Sequence, residues 1–246
     1  MRTAILAVAF VLTLQPMQTK AQFGNLIKDA EAIVGDASGS TKGSSLSSKD
    51  IADGLKQALQ VGAKNATSKV SAVNGFFGNA VIKILMPPEA RNVETEVRAL
   101  GFGAQVDQAI LSMNRGAEDA SQKALPIFAD AITHITIEDG LSILRGNKDA
   151  ATQYLKGKTT AALTQAFLPT IKASLDKVGA TRYWAEVFRI YNEIPFVQKV
   201  NTDLPGYVTQ KAVAGIFVCI ADEEAKIRAN PEARITDLLK KVFGAK

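Results

Sequence analysis

Apolar residues recur at intervals of three and four along almost the whole chain, and this spacing most restricts what it can fold into. After Ser47, one helical face would carry Ile51, Leu55, Ala58, Leu59, Ala66 and Val70. Similar stripes follow, and helix-ending residues such as Gly101, Pro126 and Gly179 separate them. A period of about 3.6 residues with such breaks is typical of amphipathic helices around one core. The sequence therefore predicts a mainly α fold, an irregular multi-helix bundle over residues 47–246.

Two segments between the first and third helical stripes are predicted to add to this core. Residues 74–79 place Phe76 and Phe77 between glycine turns, so their rings would plug the core. A short helix beginning at the prolines 87–88 would stop at Gly101. Its inward-facing residues would be Val93, Val97 and Leu100.

Only two short segments depart from the helical pattern. Residues 81–86 alternate in the manner of a strand, and residues 135–137 form a run of three β-branched residues. At most, these segments would pair as one small two-stranded β ribbon.

The first 46 residues predict an export signal followed by a tethered helix. Residues 1–21 combine a basic start, a short apolar run and small residues at Thr19 and Ala21, as a secretory signal peptide does. Residues 22–34 have the spacing of a short amphipathic helix, and residues 35–46 form a Gly- and Ser-rich linker. The helix would either pack on the bundle or dock on a membrane surface or partner groove. We expect an exported protein that is periplasmic or secreted.

Charge and cysteine content argue against several classes of protein. Loss of Arg2 and Lys20 with the signal would lower the formal net charge from +5 to +3, which does not indicate nucleic-acid binding. Cys219 is the single cysteine, so an intramolecular disulfide is excluded. It lies in the longest apolar run after the signal, residues 212–221, which is too short to cross a bilayer. We expect no transmembrane segment in the mature chain.

No catalytic or metal-binding signature stands out. His134 is the only histidine, and the chain has neither a zinc-type cluster nor the Glu-x-x-His pairs of di-iron bundles. Serine-hydrolase motifs are absent, and the apolar neighbours of Cys219 indicate an inert core thiol. No metal or cofactor is predicted, and these features favour a protein that is not an enzyme.

Two pairs of acidic residues are the candidates for carboxylate chemistry. Glu138 and Asp139 fall in the first turn of a predicted helix, where carboxylates complement the helix dipole. Glu223 and Glu224 follow the apolar run, and an i,i+4 pair such as Glu224 with Arg228 would place them on a solvated helix face.

Arg115 is the candidate cation. It would form a surface ion pair with Asp119, or serve instead as an interhelical anchor or an anion contact. If Arg115 and the four carboxylates converged in one cleft, they could supply the acid and base of an enzyme.

Aromatic residues are concentrated near residue 190. They are Tyr183, Trp184, Phe188, Tyr191 and Phe196. The spacing of residues 184, 188 and 191 puts three rings on one helical face. This face would belong to the core, or would line a ligand pocket or a partner patch.

Several short blocks, taken in order, resemble a known family. The blocks are residues 74–79, 113–115, 126–128, 137–139, 143–146, 150–154, 207–209, 220–224, 227–228 and 230–243. Over about residues 46–244 they resemble the bacterial family catalogued as domain of unknown function 4197. The resemblance implies an exported helical bacterial protein, and it supplies no activity or catalytic residues.

Together these features favour a non-enzymatic binding protein of the cell envelope. It would hold an unidentified protein partner or an apolar ligand between its helices. Two alternatives are a carboxylate-dependent enzyme of unknown substrate and a structural assembly protein of the envelope.

Overall fold

The computed structural model describes residues 47–177 and 203–229, with residues 179–181, 184, 196 and 199. The helices are α1 (Ser48–Ser71), α2 (Arg91–Val97), α3 (Gly103–Ser121), α4 (Ala124–Thr133), α5 (Ile137–Arg145), α6 (Ala150–Lys177) and α7 (Leu204–Ala229). A 3₁₀ turn, Pro88–Ala90, leads into α2, and a π-helical turn, Arg98–Phe102, joins α2 to α3. The prediction of a mainly α fold is confirmed. The predicted signal peptide, amphipathic helix and linker of residues 1–46 lie outside the described residues.

The predicted β ribbon is wrong, because no strand occurs anywhere in the described ranges. Residues 81–86 form turns and irregular backbone, and Ile137 is the first residue of α5. The N–H of Ile84 donates to Asn114 Oδ1 at 2.9 Å, and its carbonyl accepts from Asn114 Nδ2 at 2.8 Å. Backbone groups that a neighbouring strand would bind are therefore bound by a side chain of α3.

Two helices begin with a capping box, in which a hydroxyl and a carboxylate satisfy backbone N–H groups reciprocally. Ser47 and Asp50 form the box at the start of α1, and Thr136 and Asp139 form it at the start of α5. The predicted helix start at Ser47 is thus confirmed.

The core is built around α7, which packs against α1, α3 and α6. Cys219 is 1% exposed, and burial raises the pKa of its thiol. The ring of Phe217 meets that of Phe128 edge to face, with 5.8 Å between centroids. By length and composition alone α7 could cross a membrane, since its most apolar window has a mean hydropathy of 1.4, yet 61% of that window is buried inside the protein. A helix in the centre of a protein core can be as apolar as a helix that crosses a membrane.

Candidate functional site

Buried Glu118, on the second half of α3, holds the loop of residues 72–87 against the bundle. Its Oε1 accepts hydrogen bonds from the N–H groups of Phe76 and Phe77, each at 3.1 Å. Its Oε2 is paired with Arg115, whose Nη2 donates to Asn74 Oδ1 at 2.8 Å. We call this arrangement the Glu118 junction. It seats Phe76 in the core with no exposed surface, as the glycine-flanked motif predicts.

Arg115 therefore joins α3 to the loop. Its ion-pair partner is Glu118 at i+3, and the predicted surface ion pair with Asp119 at i+4 is not formed. Asp119 instead accepts a hydrogen bond from Ser174 of α6 at 3.2 Å. The guanidinium also lies 5.9 Å from the centre of the Phe77 ring, within the range of a cation–π contact.

A second buried carboxylate, Glu224 of α7, caps the N-terminus of α6. It accepts from the N–H of Ala151 at 3.1 Å and from the N–H and hydroxyl of Thr152 at 2.8 and 2.7 Å. Arg228 neutralises it at 2.8 Å and also donates to the carbonyl of Ile143 at 3.2 Å. We call this arrangement the Glu224 junction. The i,i+4 pair with Arg228 is present, but Glu224 is 7% exposed, so its predicted place on a solvated face is wrong.

The neighbouring Glu223 makes different contacts. It pairs with Lys226 and accepts from Asn65 of α1 at 3.0 Å. Lys226 thus binds a carboxylate at i−3. Glu223 therefore links α7 to α1, whereas Glu224 links α7 to α6.

Asp139 and Glu138 also have separate environments. The backbone N–H and hydroxyl of Thr136 donate to Asp139 at 3.1 and 2.9 Å, and they lower the pKa of this carboxyl. The hydroxyl of Tyr154 adds a contact at 3.3 Å, while Glu138 is exposed. Across residues 47–177 and 203–229, no three His, Cys, Asp or Glu side chains are grouped as a metal ion would require.

An apolar cleft of about 520 Å³ opens in this part of the molecule. Its apolar lining consists of Met86, Val93, Val97, Phe102, Val106, Ala109, Met113, Ala180, Trp184 and Leu204. Its polar lining consists of Glu94, Gln105, Gln108 and Ser112. It lies between α2 and the first half of α3, and this volume falls within the range of small-molecule sites, about 300–1,000 Å³.

The polar groups of the cleft wall are partly used within the protein. Glu94 accepts from Arg98 Nε at 2.9 Å, so its charge is paired. The hydroxyl of Ser112 donates to the backbone carbonyl of Gln108 at 2.7 Å. The cleft therefore offers a ligand mainly apolar surface.

Trp184 is the one predicted aromatic candidate that the structure places at the cleft, where it is 6% exposed. Tyr183, Phe188 and Tyr191 lie outside the described residues, and Phe196 is fully exposed. Val93 and Val97 face inward as predicted, but they face the cleft, and Leu100 is exposed. The apolar character and the helical spacing of these residues are the same in a cleft wall and in a packed core, so the sequence did not distinguish the two.

The two junctions account for many of the blocks that carry the family resemblance. Residues 74–79 and 113–115 meet at the Glu118 junction. Residues 143–146, 150–154, 220–224 and 227–228 contribute to the Glu224 junction. These blocks therefore mark contacts that hold the fold together.

No curated protein and no solved structure matches the chain. Residues 45–244 match the family model described as a protein of unknown function, DUF4197. Because the match spans most of the chain, this protein belongs to the DUF4197 family of proteins of unknown function.

Proposed function

We propose that this protein is an exported, non-enzymatic binding protein that holds an apolar ligand in the cleft beside α3. The observation that carries this proposal is the cleft itself, because ten of its fourteen lining residues are apolar and its volume is about 520 Å³. The apolar walls offer few hydrogen bonds to water in the cleft. An apolar ligand that displaces this water buries the apolar surface of the walls, which favours binding.

The lining favours a ligand with a neutral apolar body, such as a lipid acyl chain. The one charged group of the wall, Glu94, is already paired with Arg98. The amides of Gln105 and Gln108 provide donors and acceptors that would orient an ester or another uncharged polar end. A ligand with an unpaired charge would lose its hydration without gaining a partner here.

Ligand titration with intrinsic fluorescence tests the proposal. Trp184 is the only tryptophan and it lines the cleft, so the methyl ester of a conjugated polyene fatty acid, which absorbs its emission and carries no charge, reports occupancy. Ala109→Phe would place a ring in the cleft and weaken binding by at least about tenfold. Ala162→Phe, on an exposed position of α6, is the matched control and would keep the affinity of the unmodified protein.

Equal affinity in the two variants, or the absence of saturable quenching in the unmodified protein, would contradict the proposal. Native mass spectrometry of protein purified from its own cells then identifies the ligand by mass. The enzyme alternative is less well supported among the described residues, since Asp139, Glu223 and Glu224 each bind separate structural partners.

A further inference from the structure

The corner between α2 and α3 carries two exposed apolar side chains. Leu100 is 72% exposed and Phe102 is 52% exposed. Between them, Gly101 has φ +90°, a conformation that side-chain-bearing residues adopt only with strain. This glycine ends one helical segment and begins the next, so the corner projects both side chains outward. We call residues 99–103 the apolar corner.

The apolar corner is uncharged and its flanking charges are paired with each other. Residues 99–106 contain no acidic or basic side chain. On either side, Arg98 Nη2 contacts Asp107 Oδ1 at 2.8 Å, and the same guanidinium also binds Glu94. Transfer of the corner into an apolar medium would therefore bury no charged side chain from residues 99–106.

The corner is continuous with the cleft through Phe102. This side chain lines the cleft and is also half exposed at the corner. An apolar molecule that leaves the cleft past Phe102 would emerge where Leu100 projects. Phe102 therefore connects the lining of the cleft to the exposed side chain of Leu100.

We propose that the apolar corner inserts Leu100 and Phe102 into the surface of a phospholipid bilayer, and that the cleft takes up its ligand there. The second clause rests on the proposed function. A protein partner fits less well, because Leu100 and Phe102 are only 72% and 52% exposed and together offer at most about 300 Å² of apolar surface. A specific protein interface requires about 1,000 Å² or more in total, which is about 500 Å² from each partner. A bilayer needs no such shape-matched area.

Vesicle co-sedimentation of the full chain tests the insertion. The vesicles contain phosphatidylethanolamine and phosphatidylglycerol, and salt at about 0.15 M limits attraction between surface charges. Leu100→Glu would weaken membrane partitioning by at least about tenfold. All variants carry the same residues 1–46, so any contribution from that region cancels in the comparison.

Val73→Glu is the matched control, because Val73 is 77% exposed and the same charge is introduced. Its neighbour Asn74 binds Arg115, which lies about 18 Å along α3 from the corner. This variant would partition within about twofold of the unmodified protein. Equal partitioning of the two variants, or no partitioning of the unmodified protein, would overturn the proposal.

A polarity-sensitive label tests the depth of insertion directly. Native Cys219 is 1% exposed, so a thiol reagent would modify the Leu100→Cys variant at the introduced position. Its emission would shift to shorter wavelength with vesicles, while label on Val73→Cys would not respond. Unchanged emission from position 100 overturns the proposal even if the protein sediments with vesicles.

The two proposals fail in distinguishable ways. Leu100 does not line the cleft, so Leu100→Glu would retain quenching of Trp184 by the dispersed fatty acid ester. Loss of vesicle binding with retained quenching supports both proposals. Insertion at position 100 without saturable quenching overturns the cleft function and the uptake step, and leaves the membrane contact standing.

Discussion

The two halves of α3 have opposite surroundings. The second half is packed on nearly every side, with Asn114, Ala117, Ala120 and Ser121 fully buried. The first half borders a cleft of about 520 Å³, whereas a gap between α1, α6 and α7 has only about 20 Å³. One continuous helix therefore supplies both a core element and a cleft wall. Its partners decide which role each half takes.

The partners differ in what holds them. The loop at residues 72–87 is fastened to the second half by side chains of Asn114 and Glu118. The first half faces α2, which has seven residues and buries none of them fully. Buried polar contacts close the interior at one end. At the other end, beside the opening, α2 is linked to α3 through the partly exposed pairs of Arg98 with Glu94 and Asp107.

The sharpest way to break this comparison is to truncate one phenylalanine on each side. Phe128 is fully buried against Phe217, so Phe128→Ala would lower the free energy of unfolding by about 3–5 kcal/mol. Phe102 is half exposed beside the cleft, so Phe102→Ala would cost less than about 1 kcal/mol. Urea denaturation of the two variants checks both values. Equal losses would mean that the cleft wall is as tightly packed as the core.

The next largest effect is expected at the Glu118 junction. Glu118→Ala would leave two backbone N–H groups without their acceptor and cost about 2–4 kcal/mol. Glu118→Gln would cost less, because both N–H groups donate to Oε1 and an amide oxygen can replace it. Urea midpoints for the two variants separate the backbone contribution from the Arg115 ion pair. A larger loss for the glutamine variant would contradict this assignment.

Two glycine substitutions sharpen the contrast between filled and open space. A Cβ at Gly215 would lie 2.6 Å from Cε1 of Phe76, so Gly215→Ala would destabilise by about 1–3 kcal/mol. A Cβ at Gly157 of α6 would meet nothing within 4 Å, so Gly157→Ala would stabilise by about 0.5–1 kcal/mol. Thermal melts of the two variants should shift in opposite directions. Shifts of the same sign would show that the close approach at Gly215 is not maintained.

The smallest effect is expected at the Asp139 cap, where the contact is local. Thr136 lowers the pKa of Asp139 below its ordinary 3.8, so the stabilisation is present above that value and is lost as pH falls through the folded-state pKa. Asp139→Ala would cost about 0.5–1 kcal/mol near neutral pH. Unfolding measured at about pH 7 and about pH 2.5 should show the variant and the unmodified protein converging in acid. A difference that persists at low pH would assign the effect to something other than the charged cap.

Helix positions and local caps could be predicted from the sequence because their causes lie within a few residues. Ser47 with Asp50 and the first-turn carboxylate Asp139 are examples, and each contact spans three residues. Arg115 does not pair with the expected Asp119. It also donates a hydrogen bond to Asn74, which lies in a loop 41 residues away in sequence, and sequence spacing could not predict this contact. The buried state of Glu224 was missed for a similar reason, since its i,i+4 spacing to Arg228 is the same on a surface and in a core.

The predicted ribbon was wrong and the cleft was not predicted for the same physical reason. Alternation at residues 81–86 reflects burial of Ile82 and Ile84 beside exposed Val81 and Leu85, and a loop fastened to a helix produces the same pattern as a strand. Apolar residues such as Val97 and Val106 are equally suited to a core or to a cleft wall. The distance between α2 and α3 decides whether such a residue lies in the core or in the cleft wall. This distance cannot be inferred from the spacing of apolar residues along the chain.

The Glu224 junction also sets the order in which the chain can acquire its fold. The contact between Thr152 and Glu224 spans 72 residues, so the first turn of α6 lacks its cap until α7 has emerged and docked. A nascent chain that ends before α7 also leaves Phe76 and Phe128 without their neighbours on that helix. These contacts can therefore form only once α7 is available, and pairs so distant in sequence are expected to form slowly. Chains shortened before residue 204 would expose apolar surface and aggregate rather than fold in part.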